Sequence, residues 1–213
     1  MDKVELNNMT GSTLGHYQNN AVAFREGTWD HDVSQNRHAL IEALNGAGPH
    51  RILDFGCGPG RDLVAFTALG AEVVGLDGSE AFCEMAREAS GCIVLQQNFL
   101  ALNLLANTYD GIFANASLFH VPTQELPRIL SELNGTLKPN GILLSSNPRG
   151  NDEQSLQGER FGAYHSPETW TALLQQAQFE PVEHYYRPEG LARQQQPWFV
   201  SIWRKKQLND SDS

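Results

Sequence analysis

The sequence predicts an α/β fold: a seven-stranded, mostly parallel sheet with helices on both faces and an antiparallel pair of strands at its C-terminal edge. Three observations predict it. Apolar runs of strand length alternate with helix-like segments as far as Ser145, the pattern of right-handed βαβ units. A glycine-crowded bend, "FGCGPG", joins the first of these runs to a helix. Near the C-terminus two aromatic-rich runs follow each other with no helix between them, so they should pair antiparallel.

The elements follow in order. Tyr17–Leu44 reads as one or two helices ahead of the first strand, placed to lie over the sheet as a lid spanning about residues 16–46. Strands are expected at Arg51–Phe55, Glu72–Leu76, Cys92–Gln97, Tyr109–Asn115 and Gly141–Ser145. Between them, Asp62–Leu69, Glu80–Ala89 and Gln124–Leu137 carry apolar residues at helical spacing. In the last of these Leu126, Ile129, Leu130, Leu133 and Leu137 form one stripe and read as core. The segment Asn147–Ser166 is polar, glycine-rich and long for a connection, so it reads as a functional loop. The closing strands lie in "FEPVEHYYRP" and "WFVSIWRKK". One domain is expected over 16–206, with an unstructured N-terminus over 1–15 and an unstructured tail over 207–213.

Charge and composition narrow the function. With 15 Lys and Arg against 25 Asp and Glu, the formal charge is −10, a field that repels phosphate backbones and anionic lipids. Nucleic acid and membrane are therefore disfavoured partners. Three cysteines, Cys57, Cys83 and Cys92, are odd in number and lack CxxC spacing, which argues against a disulfide framework or structural zinc. No apolar stretch has the length of a signal-peptide core or a membrane span. A cytoplasmic enzyme is the expectation, with no metal.

The bend is the chemical signal. Gly56, Gly58 and Gly60 permit positive φ and close backbone approach, and N–H groups at a bend before a helix suit a negative or polar ligand group. A dinucleotide fingerprint would need glycine at position 61, where Arg61 stands, and no Walker lysine is present. Asp77 follows 21 residues after Gly56, at the end of the second strand, where a carboxylate can accept both hydroxyls of a ribose. A nucleoside ligand follows, with a helix-capping role for Asp77 as the plainer alternative.

Asp54–Gly60 with Asp77 resembles motif I and the acidic motif of class I S-adenosylmethionine (SAM)-dependent methyltransferases, and "LNGTLKPNGILL" looks like the segment before their fifth strand. The resemblance covers about Tyr17 to Lys205 and implies a Rossmann-like seven-stranded fold. It also implies that Gly56, Cys57 and Gly58 cradle the methionine part of SAM, that Asp77, beside Gly78, binds the ribose, and that Asn98 and Phe99 lie against the adenine. Ala114 and Asn115 would form the floor under the methyl group. Tyr17 and Trp29 would cover the cofactor from the lid. Asn98 stands where an Asp often contacts the adenine amino group, and Asn140 replaces a usual glycine, which Asn tolerates in a left-handed turn.

Five further stretches, "REGTWDHDVSQN", "FANASLFHVP", "SSNPRG", "GAYH" and "EHYYRPEGLARQQQPW", together resemble the C-terminal methyltransferase domain of ovothiol synthases and the stand-alone 5-thiohistidine N-methyltransferases. That resemblance implies methylation of an imidazole nitrogen of 5-thiohistidine to give ovothiol A, with S-adenosylhomocysteine (SAH) as the second product. It also implies a separate iron-dependent sulfoxide synthase as a pathway partner. Methyl transfer needs an aligned nucleophile and excluded water rather than a nucleophilic side chain. Asn115, Phe119, His120, Asn147, Tyr164 and His165 sit on loops where an imidazole pocket would form, with Asn115 and His120 as the catalytic candidates. Arg149 or Arg160 could clamp the substrate carboxylate, and Asp30, Asp32 or Glu159 its ammonium. His120 is the first candidate for a base, and structural packing is the alternative reading for it and for His165. Arg61 should pair with a surface carboxylate, and Cys57 should be present for its size.

Overall fold

The structure is a computed structural model that describes residues 1–44 and 46–207. The tail expected to be unstructured over 207–213 lies outside these residues except for Gln207, whose amide donates to Asn140 Oδ1 (2.9 Å). Three helices come first: α1 (Lys3–Asn19), α2 (Ala21–Thr28) and α3 (Ser34–Ala43). The alternating region follows as β1 (Arg51–Phe55), α4 (Arg61–Ala68), β2 (Glu72–Asp77), α5 (Glu80–Ser90), β3 (Ile93–Gln96), β4 (Tyr109–Asn115), α6 (Leu126–Thr136) and β5 (Leu137–Pro148). The chain then makes β6 (Glu153–Gln157), β7 (Arg160–Tyr164), α7 (Pro167–Gln176), β8 (Phe179–Arg187) and β9 (Trp198–Lys205). The main sheet has the order β3-β2-β1-β4-β5-β9-β8. Its first five members are parallel and β9 runs antiparallel to both neighbours, as the sequence predicts.

Alternation in the strands decides which residues meet which helices. Leu53 and Phe55 of β1 join the core under α6 and α7, whereas Ile52 joins the one under α3, α4 and α5. The stripe on α6 is fully buried at Leu126, Ile129, Leu130 and Leu133. Asn140 takes φ +62°, the left-handed conformation expected of it. The strand order reverses between β1 and β4, so the crevice at their carboxyl ends is the place where a doubly wound sheet holds a ligand.

Two segments differ from the sequence reading. Residues 1–15, expected to lack structure, form most of α1, started by a reciprocal capping box in which Asp2 accepts from Val4 and Glu5 N–H while Glu5 accepts from Asp2 N–H. The helix shows no apolar stripe because it buries little beyond Leu6 and Thr13. Residues 147–166 are not a bare loop: β6 and β7 form a hairpin closed by Gly158 at φ +64° and Glu159. Helix α1 packs on this hairpin, where Thr13 Oγ1 accepts from Phe161 N–H (2.9 Å) and Ser12 Oγ donates to Glu159 C=O (3.0 Å). Together they roof the carboxyl ends of the strands.

Candidate cofactor and acceptor site

Beneath that roof lies a cavity of about 810 Å³, within the range of about 300–1,000 Å³ typical of ligand sites. Its floor is the bend after β1. Gly56 sits at φ +81°, and a Cβ there would stand 2.4 Å from Ser117 Cβ, so only glycine lets the β1 and β4 loops meet. Gly58, at φ +52°, faces open space as far as Phe24, 4.0 Å from where its Cβ would be. Gly56→Ala should lower the melting temperature by several degrees, measured by differential scanning calorimetry.

The N–H groups of the bend do not face a ligand, contrary to the sequence reading. Gly56 and Cys57 N–H donate to Leu76 C=O (2.7 and 3.0 Å), and Gly60 N–H to Cys57 C=O (3.1 Å). Gly58 N–H donates to Asp77 Oδ2 (3.0 Å). The loop is thus latched to the end of β2, and it offers the cavity shape rather than donors. Cys57 is buried, and burial holds its thiol well above its usual pKa, in keeping with a packing role.

Asp77 is the anionic wall. Its carboxylate accepts from Gly58 N–H and from Ser79 N–H (2.9 Å), while Ser79, not Asp77, caps α5. Burial raises its pKa to about 6 against the pull of these hydrogen bonds. Behind the bend, Asp54 Oδ2 is buried with no partner, and burial together with Asp62 pushes its pKa well above the usual carboxylate range. Arg61 lines the cavity and pairs with Asp62 (2.7 Å), which Arg37 also holds (2.6 Å). Asp62 is buried, so Arg61's partner is not the surface carboxylate expected. Phe99 stacks on Phe55 with ring centroids 4.3 Å apart and lines the cavity with Asn98 and Gly78.

The far end is built around Tyr17 and His120. His120 Nδ1 lies 2.6 Å from Phe161 C=O, which can only accept, so Nδ1 carries the proton and Nε2 accepts from the Tyr17 hydroxyl (2.8 Å). Burial lowers His120's pKa to about 4. The imidazole is neutral at physiological pH and both nitrogens are engaged. It therefore positions Tyr17 and is not poised as the base the sequence suggested. Tyr17→Phe would leave Nε2 buried without its donor, a cost of about 1–3 kcal/mol that chemical denaturation would read. Arg160 also lines the cavity beside the Tyr17 hydroxyl, which its guanidinium contacts, and it has no carboxylate partner among the described residues.

Several sequence candidates stand elsewhere. Trp29 lies under the Arg25 guanidinium (4.8 Å) beside a separate cavity that Asp30 also lines, so it does not cover this one. Ala114 is fully buried in the sheet, and Asn115 and Ala116 line the cavity in its place. Arg149 donates to the Gln196 and Arg193 carbonyls (2.9 and 2.8 Å), outside the cavity lining, and so is not the clamp. His165 pairs with Thr123 Oγ1 (3.0 Å) and packs on Trp170, behind the hairpin. Tyr164 supports the Phe119 ring without lining the cavity, and Asn147 is buried with both amide atoms unpartnered. Glu159 faces His16 (3.6 Å), whereas Asp32 lines the cavity but its carboxylate accepts from Ser34 N–H (2.8 Å) at the start of α3. Sequence reasoning missed Asn36 and Arg187, which support Asn115 from α3 and β8 across large sequence separations. Only the fold brings them together.

Among the described residues no three His, Cys, Asp or Glu could hold a metal, and no helix is long and apolar enough to cross a membrane. Residues 52–141 match the family described as a methyltransferase domain. The trans-aconitate 2-methyltransferase of Azoarcus sp. (strain BH72) is 34% identical over 125 residues, 58% of this chain and 47% of its own length. A ubiquinone biosynthesis O-methyltransferase of Dinoroseobacter shibae is 30% identical over 153 residues, 62% of this chain and 61% of that protein. The chain spans about half the length of the first of these relatives. In structure, the 1,6-didemethyltoxoflavin-N1-methyltransferase of Burkholderia thailandensis, solved with SAH, superposes with a TM-score of 0.76 at 19% identity, covering 95% of this chain and 91% of that one. A SAM-dependent methyltransferase from Methanosarcina mazei gives a TM-score of 0.68 at 19% identity, covering 80% and 98%.

The cavity fits SAM on its own features: a carboxylate wall at Asp77 for a ribose diol and a guanidinium at Arg61 for a carboxylate. Residues 52–141 match a methyltransferase domain, and they are set in a chain with the Rossmann-like fold of class I methyltransferases.

Proposed function

We propose that the chain methylates a ring nitrogen of 5-thiohistidine with SAM, giving ovothiol A and SAH. SAM supplies a methyl carbon activated by its sulfonium, so the protein's work is binding, alignment and exclusion of water. Asp77 holds the ribose and Asn98 and Phe99 take the adenine. Arg61 receives the methionine carboxylate. Helix α1 and the hairpin close the site with Tyr17, Phe24 and Phe82, whose rings contact one another. A neutral ring nitrogen reacts through its own lone pair, so no base is required, in keeping with the engaged state of His120.

One observation carries the acceptor class: Arg160, a cation with no carboxylate partner among the described residues, lines the cavity alongside Phe119 and Trp198. A small aromatic amino acid brings the carboxylate and the ring that such a wall accommodates. The five sequence stretches resembling 5-thiohistidine N-methyltransferases support the choice of ring. The corresponding supplier is a separate sulfoxide synthase. The same cation supports a second reading, esterification of a small polycarboxylate, since curated relatives are trans-aconitate methyltransferases. Mass spectrometry after incubation with SAM and either 5-thiohistidine or trans-aconitate decides between them. One added methyl on 5-thiohistidine, placed on the ring by NMR, is the expected result, and a methyl ester of aconitate alone would overturn it.

The Asp77 carboxylate must be ionised to accept both ribose hydroxyls. Because its pKa is raised to about 6 by burial, its ionised fraction falls as the pH drops below that value. Affinity for SAH should therefore be level above about pH 6 and fall about tenfold per unit below it. Calorimetric titration across that range checks this, and flat affinity would remove the carboxylate from the site.

A further inference from the structure

Asn115, at the end of β4, lines the cavity, and the polarity of its side-chain amide is set from behind. Arg187 Nη1 donates to Asn36 Oδ1 (3.3 Å), and the Tyr185 hydroxyl donates to the same oxygen (2.9 Å). A guanidinium has no acceptor, so only the oxygen of Asn36 can face it, and the ambiguity of amide orientation is removed. The nitrogen of Asn36 must then face Asn115, where Nδ2 donates to Asn115 Oδ1 (2.8 Å). Asn36 is fully buried, which denies it any solvent alternative. Asn115 Oδ1 is thereby tied back, and Nδ2, without a protein partner among the described residues, is what remains for the cavity that Asn115 lines.

We propose that Asn36 is a positioning residue that fixes Asn115 as a hydrogen-bond donor, so the methyl acceptor places a lone-pair-bearing atom against it and a substrate presenting an amino group there is rejected. The proposal rests on the reading of the site as a methyl-transfer site. It narrows the acceptor class to molecules that carry a second lone pair besides the reacting one, on a thiolate, a carbonyl or a carboxylate. A donor placed there would meet a donor and leave both unpaired, which is how a buried polar site discriminates strongly.

The isosteric change Asn36→Asp tests it. The carboxylate still accepts from Arg187 and Tyr185 through one oxygen, but the other now faces Asn115, which must turn its amide to donate and so presents Oδ1 to the cavity. Two uncharged five-membered rings read the polarity without interference from the added charge: thiazole, which only accepts through its nitrogen, and pyrrole, which only donates. NMR titrations of both into the SAH-loaded protein at mildly alkaline pH should show thiazole at least about tenfold tighter than pyrrole in the wild type, with the order inverted in Asn36→Asp. The same order in both proteins would overturn the proposal. Should Asn36→Asp not fold, Asn115→Asp, which shows the cavity an oxygen while still accepting from Asn36, must invert the order instead. If the wild type leaves 5-thiohistidine unmethylated while the order inverts as stated, the proposed acceptor falls and the polarity assignment stands.

Discussion

Replacing Asp77 by Ala should reduce SAH affinity beyond detection by calorimetry, the largest effect expected of any single substitution at the site. Two separate contributions are lost. The carboxylate that would accept both ribose hydroxyls disappears, and charge-assisted hydrogen bonds contribute about 1.5–3 kcal/mol each, so at least about a hundredfold follows from this alone. The latch also opens, because Gly58 N–H and Ser79 N–H lose their acceptor and the bend is no longer tied to the end of β2. Asp77→Asn separates the two. It retains an oxygen for one of the two backbone donors, which reach separate oxygens in the wild type, and should weaken binding less than Ala does. Equal affinity in wild type and Asp77→Ala would show that the ribose is held elsewhere.

Arg160→Met should raise the KM for 5-thiohistidine about a hundredfold with kcat little changed. The guanidinium has no carboxylate partner among the described residues, so its removal leaves no acid unpaired and the loss falls on uniform binding of the substrate carboxylate. SAH affinity serves as the control, since Asp77, Phe99 and Arg61 lie on the other side of the cavity's chemistry. An unchanged KM would move the clamp to Arg187, and a matching loss of kcat would mean that Arg160 acts in the transition state. Steady-state kinetics distinguish these outcomes.

The sheet was legible because its strands are short apolar runs buried on both faces and its helices carry clear stripes, as at Leu126, Ile129, Leu130 and Leu133. The positive φ of Gly56 and Gly58 and the place of Asp77 at a strand end were legible because they follow from local conformation and strand length. The roof was not. Helix α1 buries only Leu6 and Thr13, so periodicity is silent there, although Asp2 and Glu5 spell a capping box. The hairpin β6–β7 was hidden because every residue of β6 is exposed, which leaves its side chains free to be polar. The direction in which a loop turns its N–H groups is not written in its composition. The glycine bend therefore suggested donors to a ligand, where the folded chain spends them on Leu76 and Asp77. Arg149 and Arg160 look alike in sequence, and only tertiary packing sends the first to the Arg193 and Gln196 carbonyls and leaves the second at the cavity with no carboxylate partner among the described residues.

Catalysis, substrate choice and the polarity of Asn115 all presuppose that one cavity, walled by Asp77 and roofed by α1, takes the nucleoside cofactor. Titration calorimetry of the wild-type chain with SAH at neutral pH tests this most directly. The structure predicts saturable binding at one site per chain, abolished by Asp77→Ala, whereas no heat from a folded protein, or binding indifferent to that substitution, would contradict it.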